Sequence, residues 1–251
     1  EGSVATSKRA INGQYTTPTE LAKLLVRLTV RDWSDMILDC CCGTGTIPKE
    51  AIQIKKSQMT TKDAVETVWA CDKNNYPLQV ANISMTGSDT INIANRLFQH
   101  NALNLNIGET IKIINPQMGD LMTLSLPNFG AVVSNLPFVP FEIIPDDDKA
   151  EISKMPLADN LDGRSDLYCY IAAKIADVIK PGGMLGIIVS NSWLGTNSGI
   201  KFVEVLKQKY NMKQVHISGK GRWFKNVDVV TTIIILEKKA NDDRSDTCLL
   251  Y

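Results

Sequence analysis

The sequence predicts an α/β fold, a mostly parallel sheet covered by helices, and three observations carry the prediction. Short β-rich runs alternate with stretches of helical periodicity along the chain. Several runs end in an acid or an amide (Asp39, Asp72, Asn135), at the carboxyl ends where open α/β sheets place their ligands. No internal repeat or low-complexity linker breaks the pattern, so 251 residues read as one domain.

Taken in order, Pro18 to Val30 reads as a helix, with Pro at an early helical position and Leu21, Leu24, Leu25 and Leu28 at three-to-four spacing. Met36–Cys40 is a first buried strand, Gly43-Thr44-Gly45 a turn, and a helix follows through Glu50, Ala51 and Ile54. Val68–Cys71 is a second strand ending at Asp72, with a helix from about Pro77 and another over Thr90 to Asn101. Ile111–Ile114 reads as the third strand, Ala131–Ser134 as the fourth, and Pro145–Asp148 as a loop. Asp166–Ile179 has helical periodicity and stops at Lys180-Pro181-Gly182-Gly183. Met184–Val189, Gln214–Ile217 and Val229–Leu236 are strands five to seven, with a helix over Lys201–Tyr210 between the first two.

Composition narrows the function. Hydrophobic residues make up 44% and charged residues 22%, which argues against wholesale disorder. No apolar run approaches the ~18 residues of a membrane span, and Glu1-Gly2-Ser3-Val4 has no secretory character. Twenty-seven basic and 27 acidic residues cancel, so no net basic balance announces nucleic acid. Residues 201–239 are nevertheless basic, and the segment Glu142–Glu151 is acidic. Six cysteines, three of them consecutive at Cys40-Cys41-Cys42, lack metal-ligand spacing and read as buried, reduced thiols of a cytoplasmic protein, with no metal site expected. His100 and His216 stand beside no motif.

Four elements carry chemistry. Asp39 to Gly45 is a strand ending in an acid, followed by glycines that let a ligand approach the backbone. Pro48 stands where the third glycine of a dinucleotide fingerprint would fall, which disfavours a nicotinamide cofactor. Asp72 can accept from both hydroxyls of a ribose or simply cap the next helix. Its separation from Asp39 exceeds the usual ~20 residues, so an insertion must lie between them. In Gly119-Asp120-Leu121 the acid could accept from an adenine amino group, although an isolated turn would look the same.

The fourth element is Asn135-Leu136-Pro137-Phe138 at the end of strand four. An amine conjugated to a ring is a poor nucleophile until its protons are held out of plane. The Asn135 side-chain oxygen and the Leu136 carbonyl can each take one proton, Pro137 stiffens the loop, and Phe138 can stack on the base. No metal or strong base is then needed.

With these residues in place, the chain resembles the gamma class of N6-adenine DNA methyltransferases, which includes type I modification subunits and related type II enzymes. The resemblance covers about residues 11–239. It implies a Rossmann-like class I S-adenosylmethionine-dependent methyltransferase fold, seven strands with the last antiparallel. Gly13 to Pro18 resembles the motif that closes over the methionine end of the cofactor. The resemblance implies cofactor contacts from Tyr15, Thr16, Thr17, Pro18, Asp39, Cys41, Gly43, Gly45, Asp72, Lys73, Asp120 and Leu121, with Asp120 facing the cofactor's adenine. It implies catalytic roles for Asn135, Leu136, Pro137 and Phe138, and a second stacking role for Phe224 in the segment Trp223–Val227, where Trp223 itself reads as packing.

The expected parts are an N-terminal motif and helix (1–31), a sheet core (32–239) and a tail (240–251), with a DNA-reading domain or subunit supplied separately. DNA is the expected partner. Leu136 stands where DNA enzymes usually carry proline, a form familiar from ribosomal RNA adenine enzymes, so RNA adenine and protein glutamine remain alternative acceptors. A catalytically silent scaffold in a defence complex is the alternative of another class.

Overall fold

A computed structural model describes residues 16–156, 158–161, 163–219, 221–224, 229–240 and 249–250. Its strands are β1 (Ile37–Asp39), β2 (Val68–Asp72), β3 (Arg96–Gln99), β4 (Thr110–Ile114), β5 (Leu121–Ser125), β6 (Phe129–Asn135), β7 (Ile179–Ser190), β8 (Tyr210–Ile217), β9 (Thr231–Lys238) and β10 (Leu249–Leu250). Its α-helices are α1 (Thr19–Thr29), α2 (Thr46–Lys55), α3 (Thr61–Glu66), α4 (Asn75–Met85), α5 (Asp146–Ile152), α6 (Leu167–Ile175) and α7 (Asn197–Lys209).

The main sheet has the order β10-β8-β9-β7-β6-β1-β2-β3. From β3 through β7 every neighbour is parallel, and β9 runs antiparallel between β7 and β8. This is the expected mostly parallel core of seven strands, with β10 added beside β8. Helices cover both faces, so the inner strands are apolar on both sides: every residue of β1 and β2 is buried. One face packs on α1, α2 and α4 through Leu25, Val26, Ile52 and Ala81, the other on α6 and α7 through Ile171, Phe202 and Leu206.

A glycine in the middle of β7 lets α1 approach closely: a Cβ on Gly186 would lie 1.7 Å from Thr29 Oγ1. That hydroxyl donates at 2.7 Å to the Leu25 carbonyl and so is satisfied inside its own helix. None of the described helices is long and apolar enough to cross a membrane.

Three local expectations give way to tertiary context. The expected Thr90–Asn101 helix contains β3, whose residues 96–99 pair in parallel with 69–72 of β2. Phe98 meets Trp69 edge to face at 6.4 Å and the Arg96 guanidinium lies 6.0 Å from the Trp69 ring, contacts that outweigh weak helical periodicity. Ile111–Ile114 is a strand, but it belongs to a β4–β5 hairpin outside the main sheet, paired antiparallel from Thr110↔Ser125 to Ile114↔Leu121. Pro145–Asp148 is the start of α5, where Asp146, Asp147 and Asp148 complement the positive end of the helix. The expected insertion between Asp39 and Asp72 is the short helix α3, capped by Thr60 accepting from the Asp63 N–H.

Candidate functional site

The carboxyl ends of β1, β2, β3 and β6 open onto one cavity of about 490 Å³. Chain direction makes it: parallel strands deliver Asp39, Asp72, Asn101 and Asn135 to the same edge, and each of these residues lines it.

The Asp39–Gly45 loop is tied down from several sides. The Cys42 N–H donates to the Cys71 carbonyl at 2.9 Å and the Gly43 N–H to Asp72 Oδ2 at 3.0 Å. Ser84 Oγ, from α4, donates to the Thr44 carbonyl at 2.8 Å. Gly45 takes a left-handed φ of 84° at the start of α2, and a Cβ there would come within 2.9 Å of the Ala81 Cβ. Glycine is required at this turn on both counts. Gly45 does not itself line the cavity, so its service is to the turn.

Two buried acids face this loop. Asp39 Oδ1 accepts from Ser134 Oγ at 2.7 Å and from the Cys41 N–H at 3.2 Å, while Oδ2 is buried with no hydrogen-bond partner among the described residues. Burial, only partly opposed by those two donors, pushes its pKa up to about 7. Asp72 accepts from Gly43 N–H on one oxygen and from Asn74 N–H (2.9 Å) on the other, and burial raises its pKa too.

A pH dependence follows. Between about 4 and 7 the folded protein holds a proton on Asp39 that the unfolded chain releases, so the stability this site contributes is present at low pH and is lost as pH rises through 7. Over that window the loss is of the order of 4 kcal/mol in the cofactor-free protein. Urea titrations at successive pH values should show Asp39→Asn removing this part of the slope; identical slopes in the two proteins would sink the assignment.

At the end of β6, Asn135 Nδ2 donates to Thr17 Oγ1 at 3.1 Å, which ties the end of this strand to the segment before α1. The Leu136 N–H donates to the Ile188 carbonyl of β7 at 3.1 Å, fixing the Asn135–Leu136 peptide at the end of β6. Thr16, Thr17, Cys41, Gly43, Lys73 and Pro137 also line the cavity, whereas Pro18, Leu136 and Phe138 do not. Lys73 is bound to Asp147 (2.6 Å) and Asp148 (2.8 Å), so its ammonium is already neutralised. Tyr15 lies outside the described residues.

Two expectations need correction. Asp120 and Leu121 do not line the cavity: they stand exposed at the turn of the β4–β5 hairpin, where the Asp120 carbonyl accepts from Asn115 N–H at 2.9 Å. The strand that ends beside the cavity is β3, and Asn101 and Ala102, which follow it, line the cavity. Phe138 and Phe224 do meet, but edge to face, with centroids 6.4 Å apart and planes at 89°. Both rings are buried and pack on each other as bare aromatics prefer, so two parallel faces for a sandwiched base are not present in this arrangement.

Sequence reading also missed Asp148, Ile143 and Pro145, which α5 and the turn before it bring to the cavity. An acidic stretch carried no local sign of burial. The basic residues Lys207, Lys209, Lys238 and Lys239 surround a separate cleft near the start of β7 and the end of β9, the sheet end opposite Asn135.

Comparison with known proteins gives the lineage. A model of the family N-6 DNA Methylase matches residues 2–251. The type II methyltransferase M.BanIII of Aneurinibacillus aneurinilyticus is 28% identical over 110 residues, 44% of this chain and 18% of its own length. A protein of Listeria monocytogenes provisionally classed as a class I S-adenosylmethionine-dependent methyltransferase superposes over 95% of this chain and 66% of its own, with a TM-score of 0.65 and 17% identity. The methyltransferase subunit of a type I restriction-modification system from Streptococcus thermophilus does so over 91% and 45%, with a TM-score of 0.63 and 17% identity. At such identities the structural likeness is one of fold, and the chain spans only part of each of these relatives.

Proposed function

The chain belongs to the N-6 DNA methylase family, and from that premise we propose that it forms the catalytic domain of a restriction-modification methyltransferase that transfers a methyl group from S-adenosylmethionine to N6 of adenine in DNA. The observation that carries the reading is the opening of Asn135 and Pro137 onto the same cavity as Asp39, Gly43 and Asp72.

The residues suit the cofactor. The buried Oδ2 of Asp39 calls for a donor, and an α-ammonium supplies one; Asp72 already turns its carboxylate to this edge and can accept from a ribose diol. Thr16 and Thr17 line the same space. When bound, the cofactor supplies an electrophilic methyl group on a positively charged sulfur.

The chain's own part is positioning. Asn135 Oδ1 and the Leu136 carbonyl each accept a hydrogen bond from one amine N–H, which turns the nitrogen lone pair out of conjugation with the ring. As the new N–C bond forms the methyl–sulfur bond would break, its electron pair staying on sulfur, and one amine proton leaves to solvent. Thr17 holds the Asn135 amide and β7 holds the Asn135–Leu136 peptide, so little reorganisation accompanies the reaction. Stacking by Phe138 and Phe224 is worth ~1–3 kcal/mol per base and requires one ring to turn from the edge-to-face pair. Sequence recognition belongs in this reading to a separate domain or subunit, in keeping with the zero net charge of the chain and with its likeness to a type I subunit.

The test is methyl incorporation from labelled S-adenosylmethionine into DNA, RNA and protein by the full-length enzyme. Label recovered from DNA as N6-methyladenine supports the proposal; label confined to RNA or to glutamine side chains refutes its acceptor.

A further inference from the structure

We infer that Asp148 is the residue that reads the exocyclic amine of the cofactor's adenine, an assignment that rests on the cofactor proposed above. Beyond the ends of β2 and β3 the cavity is lined by Tyr76, Pro77, Ala102, Ile143 and Pro145, apolar surface that suits a flat aromatic ring. Its polar border there is made by Lys73, Asn74, Asn101 and Asp148, with Asn74 Nδ2 donating to Asp72 Oδ1 at 3.4 Å. The hydrogen bonds of the other three decide which of them meets the ligand.

Asn101 is engaged at both ends of its amide. Its Oδ1 accepts from the Leu103 N–H at 3.0 Å, and its Nδ2 donates to Asp148 Oδ1 at 2.8 Å. Lys73 Nζ reaches the same Asp148 oxygen at 2.8 Å and Asp147 at 2.6 Å. Two donors therefore occupy one oxygen of Asp148, and no hydrogen bond among the described residues uses Oδ2. Asp148 is only 4% exposed, and the space its side chain borders is this cavity. A carboxylate paired with a lysine, with one oxygen left for the cavity, accepts from an amine and repels a carbonyl. Adenine presents an amine on its exocyclic edge; hypoxanthine presents a carbonyl. Asp120, on its exposed hairpin turn, offers no such contact.

The experiment is calorimetric titration with S-adenosylmethionine and with its analogue carrying hypoxanthine in place of adenine. The wild-type chain is expected to prefer adenine by roughly 10–100-fold, the value of a hydrogen bond to a charged group. In Asp148→Asn the preference collapses or inverts, because a carboxamide can turn its NH₂ toward the carbonyl while its oxygen still serves Asn101. Asp148→Glu keeps the charge beside Lys73 but moves the oxygens, and weakens the adenine form at least about fivefold more than the analogue. An unchanged preference in folded Asp148→Asn, or equal losses for both ligands in Asp148→Glu, would reduce Asp148 to a latch between α5 and β3 and overturn the inference. Wild-type protein that binds neither ligand overturns it at an earlier step, together with the proposed cofactor.

Discussion

Asn135→Ala is expected to lower methyl transfer by at least ~10²–10³-fold, the usual loss when one preorganised polar group is removed from the reacting centre. Cofactor affinity should stay within about threefold, less than the value of one neutral hydrogen bond, because in the proposed function the cofactor's charged and hydroxyl groups fall to Asp39 and Asp72. Stability should change little: Asn135 is half-buried at the end of β6, and its partner Thr17 has a hydroxyl that can rotate. Single-turnover rates beside a cofactor titration would separate these quantities. A variant that loses cofactor binding in proportion to its rate would show that Asn135 serves the cofactor instead of the acceptor.

Asp72→Ala is the second large effect, and it falls on the other side of that division. The carboxylate accepts from Gly43 and Asn74 N–H groups, so alanine removes an anchor of the Asp39–Gly45 loop and one of the start of α4, along with the proposed acceptor for the ribose. A loss of ~10²-fold in cofactor affinity follows from two charge-assisted hydrogen bonds, even after allowance for relaxation. The effect on stability should be smaller. Burial already disfavours the ionised carboxylate in the cofactor-free fold, as its raised pKa records, so removing it also relieves a cost. Asp72→Asn, which keeps one acceptor oxygen, should fall between wild type and alanine. Unaltered affinity in Asp72→Ala would mean that the ribose is held elsewhere.

The ends of β1, β2 and β6 were legible because fully buried strands write themselves as short continuous apolar runs, each closed here by a polar residue at the carboxyl end. Asp39, Asp72 and Asn135 could therefore be placed at one edge before any contact was known. Residues 96–99 could not. A four-residue run with one apolar pair fits a helix and a strand equally well, and only Trp69, 27 positions earlier, settles the choice through packing. That one error moved the expected adenine-facing residue to Asp120, because Ile111–Ile114 was counted as the third strand of the sheet although it pairs only within its hairpin. Asp148 was illegible for a different reason. Its burial depends on Lys73 and Asn101, which reach it from the ends of two other strands. The edge-to-face packing of Phe138 on Phe224 likewise joins segments far apart in the chain.

The central claim is most directly tested by expressing the complete gene, with any specificity partner it requires, in a bacterial host lacking its own adenine methylation. The genome is then sequenced for N6-methyladenine, with Asn135→Ala in parallel. The account predicts a modified sequence motif in the wild type that disappears in the variant. Adenine left unmodified by a folded enzyme that binds S-adenosylmethionine, or a motif that persists in Asn135→Ala, would contradict it.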